Sequence, residues 1–121
     1  MPLHESAEMY LETIYTLSKR SVSVRSVDVA EEMGFSKPSV SRAVGLLKRD
    51  GYLVMEQDGT LVLTEEGRTT AEKIFERHTT LANFLVTLGV SEEIAAADAC
   101  KIEHVISDDT LSAIQTWLQT K

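Results

Sequence analysis

A single cysteine, Cys100, stands among 121 residues, so no intrachain disulfide can form and the chain suits a reducing compartment. No uninterrupted apolar stretch approaches the ~20 residues of a membrane-spanning helix. The first residues, Met1 to Glu8, lack a basic segment followed by an apolar run. No secretory leader is expected from them, no membrane contact is expected, and the protein is expected in the cytoplasm. Positive charge is also in deficit: 12 Lys and Arg face 19 Asp and Glu, for a formal net charge of −7. A constitutive DNA binder draws most of its non-specific affinity from phosphate neutralisation, which this balance disfavours. A conditional binder is still allowed. Lys37, Arg42, Lys48 and Arg49 cluster within thirteen residues, and a dication held by carboxylates would offset negative charge. The chain has no internal repeat, no low-complexity segment, no glycine-rich loop and no pattern of an activated nucleophile. An enzyme acting on an organic small molecule is therefore not expected.

What is present reads as an all-α chain with a small β wing. Tyr10, Leu11, Ile14 and Leu17 recur at helical spacing and predict a helix over 6–19 with Ser6 as its cap. Ser21 to Arg25 reads as a polar connector. Ser26 is expected to cap a short helix with apolar positions Val27, Ala30 and Met33, closed by Gly34. Pro38 fits the first turn of a third helix, where its missing N–H costs nothing. Val40, Val44 and Leu47 form that helix's stripe, and Gly51 stops it. The period then changes to two short β-prone runs, 52–55 and 60–63, with Asp58-Gly59 as a hairpin turn signal. Thr64 is expected to cap a long helix lined by Ala71, Ile74, Phe75, His78, Leu81, Leu85 and Leu88, closed by Gly89. Ser91 opens a fifth helix to about Ile106. Ser107 caps a sixth, carrying Leu111, Ile114, Trp117 and Leu118.

Helix, tight turn, helix and hairpin is the order of a winged helix-turn-helix, in which the second paired helix enters the major groove by its N-terminal residues. Here that end reads Ser36, Lys37, Pro38, Ser39, Val40, Ser41, Arg42. Arg42 can bond guanine bidentately, and the serines can meet bases or phosphates. The hairpin tip, Gln57-Asp58-Gly59, is expected near the minor groove or backbone. The plain alternative is a capped surface helix with solvated charges, or a winged helix that binds protein.

Cys100, Glu103 and His104 stand at i, i+3 and i+4, so on one helix their side chains converge on one face. Thiolate, carboxylate and imidazole are transition-metal ligand types. One helix cannot close a coordination shell. Candidates for the rest are Met9 and Glu12, three residues apart on the first helix, and His78 on the apolar side of the long helix. Each has an ordinary reading too: Met9 as core filler, Cys100 as a small hydrophobe, His78 as a core histidine, and Glu12 and Glu103 as solvated carboxylates.

Taken together, Glu8-Met9-Tyr10-Leu11-Glu12-Thr13-Ile14-Tyr15, Val29-Ala30-Glu31 leading into Ser39-Val40-Ser41, Arg49-Asp50-Gly51 and the run Ala99 to Asp109 resemble the iron- and manganese-dependent repressors of the diphtheria-toxin-repressor (DtxR/MntR) family. The resemblance covers nearly the whole chain. It implies a winged helix-turn-helix over 1–64 and a helical metal-binding and dimerisation half over 65–121. It also implies a homodimer on double-stranded palindromic DNA, with metal lodged between the two halves. The iron-type regulatory site maps to Met9, Cys100, Glu103 and His104. Glu12 stands where manganese-type members carry a ligand, and His78 where both types use a histidine. Ala82 and Ala96 replace a carboxylate and a histidine of the ancillary iron-type site. Glu12 with His78 then offers a binuclear site of the manganese kind. The resemblance is to the short members, in which no C-terminal SH3-like domain is expected. Sulfur from Cys100 and Met9 favours Fe²⁺ as activator, with Mn²⁺ the alternative and Co²⁺, Ni²⁺ or Zn²⁺ as surrogates. A metal-independent winged-helix module and a small metalloenzyme are the distant alternatives.

Overall fold

The computed structural model describes residues 5–21 and 23–120. The first four residues of the stretch scanned for a leader, and Val22 of the 21–25 connector, lie outside the described residues. The described residues form six helices and one two-stranded antiparallel sheet, as the hydrophobic periodicity predicts. The chain divides into two compact units, Met1–Glu72 and Lys73–Lys121. None of its described helices is long and apolar enough to cross a membrane.

The first unit holds α1 (Glu5–Arg20), α2 (Ser26–Met33), α3 (Lys37–Arg49), β1 (Leu53–Met55), β2 (Leu61–Leu63) and the start of α4 (Glu65–Thr87). Leu11 and Ile14 of α1 are fully buried, and α1 packs on both α2 and α3. In α3, Val40, Val44 and Leu47 follow four- and three-residue steps and fall on one buried stripe. Two caps differ from the sequence reading. Ser6 lies inside α1, which already runs from Glu5. Arg25, not Ser26, is the N-cap of α2, and its amide donates to the Asp28 carboxylate at 2.9 Å. An aspartate two places past Ser26 thus moved the boundary by one residue. In the same helix Val29 is buried and Val27 is exposed, so the apolar stripe is shifted from the one expected.

Gly34 closes α2 in the left-handed region, φ 71°. Ser36 caps α3, its hydroxyl accepting the Ser39 amide, with Pro38 in the first turn. Leu53 pairs with Leu63, Val54 with Val62 and Met55 with Leu61. The hairpin tip closes as Asp58 accepts the Thr60 amide at 3.0 Å, a bond that also lowers the Asp58 pKa. The Leu61 amide donates to the Val24 carbonyl at 2.7 Å and ties the wing to the loop before α2.

The second unit holds the rest of α4, α5 (Glu92–Ile102) and α6 (Asp108–Gln119). Ser91 and Ser107 cap α5 and α6 as expected, accepting the amides of Ile94 and Thr110. Ile74 and Leu81 of α4 and Ala95 and Ala99 of α5 are buried. Leu88 falls beyond the end of α4 and is exposed. The larger departure is at α5, which ends at Ile102 rather than near Ile106. Val105 and Ile106 both donate their amides to the Ile102 carbonyl, closing a turn directly before the Ser107 cap.

Candidate functional site

At the start of α3, residues 36–39 and Ser41 and Arg42 are exposed. The Ser36 hydroxyl donates to the Ser39 hydroxyl at 2.9 Å, so both serines are engaged in the cap. Lys37 and Arg42 form no ion pair among the described residues. The result is a capped helix N-terminus that presents serine hydroxyls and two cations outside any ion pair among the described residues. That arrangement suits a polyanion.

Met9 and Glu12 lie one turn apart on α1, both half-buried. In the second unit, Cys100 sits in the last turn of α5, Glu103 is its C-cap and His104 lies in the turn that follows. The three are therefore not on one regular helix, contrary to the sequence reading. They converge nonetheless, because Glu103 keeps helical dihedrals (φ −58°, ψ −24°) and its amide still bonds to the Ala99 carbonyl. One donor atom from each of Cys100, Glu103 and His104 lies within 4.8 Å of the others.

Glu103 is completely buried. Its Oε1 is 3.2 Å from His104 Nε2, and its Oε2 is 3.3 Å from His78 Nδ1 on α4. Neither carboxylate oxygen, nor His78 Nδ1, makes a hydrogen bond of good geometry among the described residues. A sealed carboxylate without hydrogen bonds is costly, and such a group in a native fold calls for an ion or a proton. The His78 pKa is raised by its contact with the Glu103 carboxylate, against the opposing effect of burial. Thiol, carboxylate and imidazole donors with orphaned buried oxygens fit a first-row divalent metal. They lack the all-oxygen character that suits calcium or magnesium.

Sequence reasoning missed Arg77. Its guanidinium donates to the Glu103 carbonyl at 3.2 Å and reaches the Asp108 carboxylate at 3.4 Å. Only the position just before His78 could have hinted at it.

The N-terminal residues 2–61 match the family model "Iron dependent repressor, N-terminal DNA binding domain". Residues 64–120 match "Iron dependent repressor, metal binding and dimerisation domain". The iron-dependent repressor IdeR of Mycobacterium tuberculosis is 39% identical over 108 residues, which are 88% of this chain and 47% of that protein. The transcriptional regulator MntR of Escherichia coli O157:H7 is 37% identical over 115 residues, 95% of this chain and 74% of that protein. A solved manganese-dependent transcriptional repressor in complex with manganese superposes with a TM-score of 0.88 at 29% identity, covering 95% of this chain and 53% of that one. The chain thus spans about half the length of the mycobacterial repressor. These relatives are regulators of transcription and not enzymes.

Proposed function

We propose, from the premise that this chain belongs to the DtxR/MntR family of metal-dependent repressors, that it acts as a homodimer on a palindromic double-stranded operator and only when a divalent metal is bound. The observation that carries this reading is the sealed Glu103 carboxylate beside Cys100 and His104. Bound there, a dication supplies the positive charge and the lone-pair acceptor that the buried donors lack. Cys100, Glu103 and His104 are the proposed core ligands. Met9 and Glu12 are proposed to complete the shell, as the family resemblance implies, and His78 to serve the same centre. Ser36, Lys37, Pro38, Ser39, Ser41 and Arg42 are proposed to meet the DNA. Metal and operator then select the same arrangement of the chain, and their coupling must be reciprocal.

The test is an electrophoretic shift on palindromic DNA with and without chelator. Loss of the shift on metal removal is expected. A shift indifferent to chelator would make the chain a metal-independent winged-helix module, and no shift under any condition would point to a protein-binding role.

Fe²⁺ is the proposed activator, because Cys100 and Met9 offer soft sulfur. Mn²⁺ is the second reading, favoured by Glu12, Glu103 and the two histidines, and this chain is similar both to a repressor named for iron and to a solved one named for manganese. Replacing Met9 by Asp together with Cys100 by Glu should move activation of DNA binding toward Mn²⁺ and away from Fe²⁺ or Co²⁺.

A further inference from the structure

The chain has six glycines, and the fold accounts for five of them. Gly34, Gly51, Gly59 and Gly89 sit at positive φ, where a side chain is strained. Gly67 has no room for a Cβ, which would meet the Tyr52 carbonyl. Gly45 is the exception. It stands in the middle of α3 without positive φ, and it is exposed. A Cβ built there would find nothing within 4 Å among the described residues. Glycine inside a helix is less favourable than alanine, because it gives up more backbone freedom on folding. The helix is thus weakened at Gly45 with no compensating contact or conformation inside the protein.

Its place on the helix points outside the chain. The four- and three-residue steps that bury Val40, Val44 and Leu47 put Pro38, Arg42, Gly45 and Arg49 on the opposite, exposed face. One turn before Gly45 stands Arg42, which forms no ion pair among the described residues. One turn after it stands Arg49, which donates to the Asp50 carboxylate at 3.1 Å. Beside it Leu46 is 47% exposed. Two cations with a bare, uncharged step between them match the wall of a DNA groove, where phosphates alternate with apolar deoxyribose. We propose that Gly45 is the point where the α3 main chain comes closest to the sugar–phosphate backbone of the operator, left without a side chain so that the helix seats deep enough for Arg42 to reach base edges. This rests on the DNA reading above. It adds how the helix is seated, which that reading leaves open.

Alanine at this position makes the test decisive, because the fold and the complex predict opposite signs. Gly45→Ala should raise the melting temperature of the full chain, followed by circular dichroism, by about 2–5 °C, since it removes a glycine from a helix interior. It should also weaken specific DNA binding by about 10-fold or more, the effect of a methyl group forced into a close contact. Gly45→Leu should weaken it further. The probe is a duplex that the parent selects from a randomised pool with Co²⁺ or Mn²⁺ present. Fluorescence anisotropy at saturating metal reads affinity for that duplex and for a random one. On the random duplex Gly45→Ala should bind as the parent does, because phosphate contacts alone do not require the helix to be seated in the groove. A more stable Gly45→Ala with parental affinity for the selected duplex overturns the proposal. A melting temperature below the parent's also overturns it, by giving Gly45 a role inside the fold. So does an equal loss on both duplexes, because a clearance matters only once the helix is seated. A parent that selects no duplex sinks the DNA reading itself, an outcome distinct from these.

Discussion

Glu103 puts a carboxyl group where a fold alone would place a leucine. Its neighbour His78 moderates the cost in the metal-free protein, because the carboxylate raises the His78 pKa above its ordinary value of about 6.5. A group whose folded pKa is raised stabilises the fold fully below the unfolded value, and that stability is lost as pH rises through the folded one. The melting temperature of the metal-free protein should therefore fall as pH rises from about 6 to 8, and His78→Gln should flatten that slope. A parent slope no steeper than the variant's would mean the pair is not charged. Metal affinity should run the other way, rising with pH, because the Cys100 thiol must lose its proton to bind. Cys100 also has a spectroscopic test. The Co²⁺ complex of the parent should show a thiolate-to-cobalt charge-transfer band that Cys100→Ala abolishes. If the band is missing while Mn²⁺ fully activates DNA binding, Cys100 is a bystander.

At the scale of elements, the exit of α3 and the start of α4 meet at a corner held by Thr64. The Thr64 hydroxyl donates to the Gly51 carbonyl at 2.6 Å and accepts the Gly67 amide at 3.0 Å, while the Thr64 amide donates to the Tyr52 carbonyl at 3.1 Å. A Cβ on Gly67 would lie 1.8 Å from the Tyr52 carbonyl oxygen, a backbone atom that cannot swing aside. The exit of α3 is thus pinned to the first turn of α4 by contact as well as by hydrogen bonds. Gly67→Ala should cost at least the ~1–3 kcal/mol typical of overpacking, and Thr64→Ala about 1–2 kcal/mol as a lost cap, both read by denaturant melts. Melts within error of the parent would show that the corner yields. At the other end of α3, Arg42→Ala should weaken specific DNA binding by about 1–3 kcal/mol if Arg42 reads a base, with metal affinity unchanged. An equal loss on random DNA would assign Arg42 to phosphate.

At the scale of the molecule, assembly is the open element. Leu111, Ile114, Trp117 and Leu118 of α6 are half-buried, none fully, although Trp117 packs edge-on against Phe84 at 5.4 Å. An apolar stripe left half covered within its own unit suits a second copy, and a palindromic site needs two-fold protein symmetry. Sedimentation at micromolar concentration should give a dimer without metal. A single monomer species would remove dimerisation from the proposal and leave the metal centre standing. The net charge of −7 makes a further demand on the whole chain. DNA binding by so acidic a protein must lean on the cations of α3, so its affinity should drop steeply with added salt.

The sequence by itself determined the element order, the hairpin and most caps, because these rest on local chemistry. Serine before a helix, glycine at positive φ and apolar residues at three- and four-residue steps act within a few neighbours. It also determined the donor types Cys100, Glu103 and His104 and their spacing. Only the tertiary structure decided what depends on distant neighbours. A helical period cannot show that α5 stops at Ile102, since the stop follows from a turn closed on the Ile102 carbonyl just before Ser107. Nor can it show that Ser26 yields its cap to Arg25, which depends on the Asp28 carboxylate. The complete burial of Glu103 and the reach of Arg77 and His78 to its two ends are through-space facts about residues some 25 positions apart in sequence. Spacing along a chain fixes which side chains share a face, and only packing fixes which of them are removed from water and what they then meet.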